Sequence, residues 1–187
     1  MAEVVLFHHA MGLTPGVIAF ADRLRAAGHT VHTPDLYEGE VFATLDEGVH
    51  HGDEELGMDE VIARARRAAD ALPAEVVYAG FSLGSVPAQA LAQTRPGARG
   101  ALLFHGGGPL SWFETGWPKG VPLQVHVMES DRWYEPDLVA QLIRDVPGAE
   151  LFLYSGDGHL FADETLPDYD PAAAALLMER TLGFLGE

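Results

Sequence analysis

Gly80-Phe81-Ser82-Leu83-Gly84 leaves few folds open, because an apolar run, Val76-Val77-Tyr78-Ala79, leads into it and a helix-compatible run, Ser85 to Gln93, leads out. A strand that becomes a helix so abruptly fits a parallel sheet with helices packed on it. The two glycines let the backbone and the new helix close up where a side chain would collide. The serine between them is then held on a strained turn, its hydroxyl raised above the sheet. The next amide, Leu83 N–H, opens a helix whose free N–H groups and dipole favour negative charge. The same five residues also serve as a plain tight turn in a chain with 21 glycines among 187 residues, so the rest of the sequence must decide.

Strand and helix signals alternate along the chain, which predicts an α/β fold with a mostly parallel central sheet and helices on both faces. Val4 to His8 is a strand. Thr14 caps and Pro15 opens a helix that runs to about Ala27 and closes at Gly28. Thr30 to Thr33 is a short strand stopped by Pro34. Met58 to Leu72 is a helix, acidic at its start and carrying Arg64, Arg66 and Arg67 later, as the helix dipole prefers. Gly100 to Phe104 is a strand, Pro136 to Val146 a helix, and Pro171 to Leu185 a closing helix. Asp35 to Gly57 is acidic, glycine-containing and poorly periodic, and is expected to be a long loop. One domain over residues 1–187 is expected, with no repeat.

Two further strands end in residues that chemistry can use. Leu123 to Met128 runs into Glu129-Ser130-Asp131, and Glu150 to Tyr154 runs into Ser155-Gly156-Asp157-Gly158-His159. The carboxyl ends of parallel strands converge on one edge of the sheet, so Ser82, Asp131 and His159 are placed to meet there, in the chain order Ser, Asp, His. In that arrangement His159 takes the proton of an otherwise un-ionised Ser82 hydroxyl, and Asp131 fixes the imidazole tautomer. Leu83 N–H and Ala10 N–H, the latter from the turn after the first strand, would hold the oxyanion. Glu129 and Glu135 compete with Asp131 for the acid's role, and Asp131 competes as a helix cap before Pro136. His159 has a rival reading as a loop histidine.

Composition narrows the partners. A formal net charge of −17 repels phosphate backbones and anionic headgroups, which argues against nucleic acid and membrane surfaces. No basic, apolar leader and no spanning run is evident, so a cytoplasmic location is expected. With no cysteine there is no disulfide, thiolate or cysteine metal site. Neighbouring side chains in extended backbone point to opposite faces, so His8-His9 and His50-His51 are poor chelators, and no metal or cofactor is expected. His50 and His51 are expected on an exposed loop, and His105 and His126 as satisfied structural histidines. His105 to Lys119 is read as a flexible aromatic loop. Trp112, Phe113 and Trp117 from it, with His9 and Phe161, are expected to line a substrate pocket or, equally, to anchor the loop. The partner expected is a small ester or lactone, with a homodimer left open as an assembly.

The turn Leu6-Phe7-His8-His9-Ala10-Met11-Gly12, the elbow at Ser82, the acid at Asp131, and Gly158-His159-Leu160-Phe161 followed by Leu166-Pro167-Asp168-Tyr169 together resemble the dienelactone hydrolase family. The resemblance spans most of the chain. It implies a compact α/β-hydrolase fold without a large cap domain and a catalytic triad at Ser82, Asp131 and His159. It also exposes departures. The namesake enzymes carry Cys where this chain has Ser82, an acidic residue where it has His9, and an arginine where it has Asp163. A carboxylate there would repel an anionic ligand, so a neutral ester, thioester or lactone is expected instead. Three functions follow: a serine hydrolase, an acyltransferase using the same acyl-enzyme, or a binding protein on a hydrolase fold.

Overall fold

The computed structural model describes residues 1–186. Six strands, β1 (Glu3–Phe7), β2 (Thr30–His32), β3 (Val77–Phe81), β4 (Gly100–Phe104), β5 (Leu123–Met128) and β6 (Glu150–Tyr154), form one sheet in the order β2-β1-β3-β4-β5-β6. Every pairing is parallel, with Val4 opposite both Val31 and Val77. The strands read as nearly continuous apolar runs because both faces are covered. On one face Val5, Phe7, Tyr78, Leu103 and Val125 pack under α3 (Met58–Asp70), α4 (Ser85–Thr94) and α5 (Pro136–Asp145). On the other, Val4, Leu6, Ala79, Phe81 and Leu102 pack under α1 (Pro15–Ala26) and α6 (Pro171–Leu185). No described helix is long and apolar enough to cross a membrane.

Local chemistry sets the helix ends. Thr14 accepts from Val17 N–H and Pro15 follows at the first helical position, while Asp170 caps α6 by accepting from Ala172 and Ala173 N–H. Asp35 to Gly57 is not the loop expected. It holds α2 (Leu45–His50), continued by a π-helical turn over His51–Leu56. Thr44 and Glu47 form a reciprocal capping box that starts α2. His51 is therefore not an exposed loop residue. It packs against Tyr37 and Phe42 at ring-centroid distances of 4.8 and 4.9 Å.

The strand order reverses between β1 and β3, and the crevice outside the carboxyl ends at such a reversal is where open α/β sheets bind ligands. Ala10 leaves β1 and Ser82 leaves β3 there. Asp131 and His159 follow β5 and β6 on the same edge.

Candidate active site

The elbow is as tight as its composition implies. A Cβ on Gly80 would stand 2.0 Å from Gly84 O, and one on Gly84 would stand 2.4 Å from His8 O. Ser82 sits at φ 50°, a left-handed conformation that a non-glycine residue adopts only under constraint, at a cost of about 1–3 kcal/mol. Ser85 Oγ donates to Ser82 O at 2.6 Å and pins the strained carbonyl. The sequence held no signal for this second serine beyond its place at the helix start.

Ser82 Oγ lies 2.6 Å from His159 Nε2, and His159 Nδ1 lies 2.6 Å from Asp131 Oδ2. With Asp131 an acceptor, Nδ1 carries the imidazole proton and Nε2 is left to accept from the serine. Asp131 also accepts from Trp133 N–H through Oδ1 at 2.8 Å, and Asp168 accepts from His159 N–H at 3.1 Å, so Asp131 and His159 are each fixed by a second bond. Asp131 and His159 are buried. The structure thus brings the three sequence-predicted residues into one hydrogen-bonded chain. Glu129 and Glu135 stay outside it, and the segment before α5 is capped without a side-chain bond.

Ser82, Leu83, Ala10 and His159 border a cavity of about 260 Å³, whose walls include Trp112, Trp133, Asp53 and Glu135. Of the five residues expected to line the pocket, Trp112 does so. Trp117 instead donates from its indole N–H to Val121 O at 2.7 Å and packs on the core, Phe113 stands edge-on to Trp112 away from the cavity wall, and Phe161 is fully buried against His105 and Tyr154. The segment carrying them is not a loose flap. Gln89 exchanges two bonds with Gly108, and Gln93 donates to Leu110 O and Thr115 O, both from inside α4.

His9 does not line the cavity either. It is buried, accepts at Nδ1 from Met11 N–H (3.2 Å), and donates from Nε2 to Asp163 Oδ2 (2.9 Å). Asp163 likewise stands outside the cavity wall. It accepts from Thr14 Oγ1 (2.5 Å) and from the amide and hydroxyl of Thr165 (2.9 and 2.6 Å). Burial alone would raise its pKa, but the bonds from His9, Thr14 and Thr165 outweigh it and hold the carboxyl at about 2. Room for it exists because residue 16 is glycine: a Cβ there would fall 1.7 Å from Asp163 Oδ1. The carboxylate expected to repel anions is therefore an internal strut between the turn after β1 and the segment after His159.

The remaining histidines divide. His8 donates from Nδ1 to His9 O and accepts at Nε2 from Leu36 N–H; burial first of all holds its pKa down at about 4. His126 is satisfied by Tyr154 and Gln124, and burial lowers its pKa to about 3. His105 departs from expectation. Neither ring nitrogen has a partner, its backbone sits at φ 67°, and burial, then His159, His9 and His126, push its pKa well below the usual imidazole range. Among the described residues no group of three or more His, Cys, Asp or Glu is arranged to hold a metal ion.

A family model for the dienelactone hydrolase family matches residues 1–187. Among solved structures, a dienelactone hydrolase-like promiscuous phosphotriesterase from metagenomic libraries superposes at TM-score 0.79 with 22% identity, covering 99% of this chain and 85% of its own. A dienelactone hydrolase from Anabaena variabilis gives TM-score 0.67 at 19% identity over 99% and 87%. The thioesterase domain from the curacin biosynthetic pathway gives 0.64 at 16% over 94% and 89%. At these identities the likeness is one of fold. No protein of curated function matches by sequence.

Proposed function

The chain belongs to the dienelactone hydrolase family, and on that premise we propose that it is a serine hydrolase cleaving a small carboxylic ester, thioester or lactone that carries no negative charge. The observation that carries this reading is the unbroken chain from Ser82 Oγ through His159 to Asp131, at 2.6 Å per link.

The reaction follows from those two bonds. As Ser82 Oγ bonds to the carbonyl carbon, its proton passes to His159 Nε2, and Asp131 stabilises the imidazolium without taking its proton. The carbonyl oxygen gains the negative charge and is received by Leu83 N–H and Ala10 N–H, both at the cavity wall. Collapse of this intermediate breaks the bond to the alcohol or thiol, which leaves with the proton from His159. A water then gives His159 a proton, bonds to the acyl carbon and releases the acid, returning the proton to Ser82. Loss of one oxyanion donor costs about 3–4 kcal/mol of barrier, so both amides matter.

The reluctance toward anions no longer rests on Asp163. It rests on Asp53 and Glu135 in a cavity that no described lysine or arginine lines. The test is titration with a serine-directed fluorophosphonate, with Ser82→Ala as control. Stoichiometric labelling that Ser82→Ala abolishes supports the reading; an unreactive native protein, with no turnover of any ester, overturns it.

A further inference from the structure

Two acidic and two aromatic side chains share the cavity beside Ser82; neither carboxylate bonds to Ser82, His159 or Asp131, and the Trp133 ring lies 5.9 Å from that of His159. Asp53 projects from the π-helical turn, a feature frequent at functional sites. Its pKa is raised by burial and then by the neighbouring Glu54, with no contact that lowers it, so its charge goes uncompensated. Glu135 stands at the N-cap of α5 yet makes no capping bond, which leaves its carboxylate free.

The aromatic walls suit the same ligand. Trp112 and Trp133 are the most exposed of the three indoles, at 46% and 38%, and both border this cavity. Trp133 already receives a cation, because the Arg132 guanidinium lies 5.2 Å from its ring centroid. Arg132 itself borders a neighbouring cavity and faces Asp46 at 3.5 Å. A quaternary or protonated amine gains from indole faces through their quadrupole and from carboxylates through charge. Of the two histidines that also border it, His105 has its pKa pushed well below the usual imidazole range by burial and so adds no positive charge, and His159 is paired with the Asp131 carboxylate. The net charge of −17 adds a field that gathers cations at the surface.

We infer that this cavity binds a small organic cation, and that the esters it prefers carry a quaternary or protonated amine on the acyl or leaving group. The reference to esters rests on the hydrolase reading; the binding of the cation does not.

The experiment therefore has two arms. Choline and its uncharged isostere 3,3-dimethylbutan-1-ol are titrated into the full chain at low salt, with tryptophan fluorescence as the readout. Choline is expected to bind at least about tenfold more tightly. In a double variant Asp53→Asn, Glu135→Gln, whose nearly isosteric changes leave the core untouched, the preference is expected to fall to within about twofold. A smaller preference in the native protein, or one that survives both substitutions, overturns the inference. The second arm compares kcat/KM for butyrylcholine and 3,3-dimethylbutyl butyrate. Cleavage of the uncharged ester without a choline preference in binding removes the cation site and keeps the hydrolase. A choline preference with neither ester cleaved, and Ser82 inert to fluorophosphonate, does the reverse.

Discussion

His9 and Asp163, 154 positions apart in the chain, meet in a buried bond of 2.9 Å that ties the turn carrying Ala10 to the segment carrying His159. The imidazole also accepts from Met11 N–H, so the pair holds the backbone next to the Ala10 amide in place. Proposed oxyanion donor and proposed base are thus braced against each other rather than on separate loops.

Asp163→Asn is expected to disturb both. Its amide N–H₂ would confront donors from Thr14, Thr165 or His9, at about 1–3 kcal/mol of stability. If the brace positions Ala10, kcat falls by tenfold or more while KM changes little, short of the about 10²–10³ that removal of a whole donor costs. Urea unfolding and steady-state kinetics on one variant separate the two effects.

Acid should reveal the same carboxylate. The Asp163 pKa is depressed to about 2 from 3.8, so its contribution is complete above the unfolded value and is lost as pH falls through the folded one. Between about pH 5 and pH 2 the native protein is expected to lose about 2 kcal/mol through this group, which Asp163→Asn does not lose. The stability gap between the two proteins therefore narrows as pH falls; a constant gap in urea midpoints contradicts the assignment.

Asp131→Asn keeps the size of the acid but not its ability to fix the His159 tautomer. Turnover is expected to drop about 10⁴-fold. Glu129→Gln, outside the hydrogen-bonded chain, is expected to stay within about twofold of the native rate by comparison with surface changes elsewhere. Rates with one activated ester decide between the carboxylates.

Two glycine substitutions should move stability in opposite directions. Gly16→Ala drives a methyl into Asp163 and is expected to cost about 1–3 kcal/mol or more. Gly183→Ala meets open space within α6 and is expected to gain about 0.5–1 kcal/mol from helix propensity. Thermal or urea midpoints suffice for both.

What could be read from the chain alone followed physical range. The alternation of apolar runs is local and reports the sheet; the elbow is a steric motif of five residues; and Ser82, Asp131 and His159 each follow a strand of their own, which parallel topology then gathers. The helix at Leu45–His50 was hidden by acidic, glycine-containing composition, although Thr44 and Glu47 already spelled its capping box. The partnership of His9 with Asp163 left no local trace, because neither residue's pattern depends on the other until the chain has folded. That is why local pattern alone places both toward a ligand. The meeting of Asp53 with Trp133 and Glu135 is equally illegible, since two segments distant in the chain bring them to one cavity.

The strand order carries one more implication. Ser82 leaves β3 in the interior of the sheet, whereas His159 follows β6, an edge strand and the last of the six to be synthesised. While the ribosome is still translating, the nascent polypeptide has its alcohol and elbow but no imidazole to deprotonate it. Under the proposed mechanism, reactivity is conferred only when the final crossover docks, and fraying at that single edge is enough to switch it off.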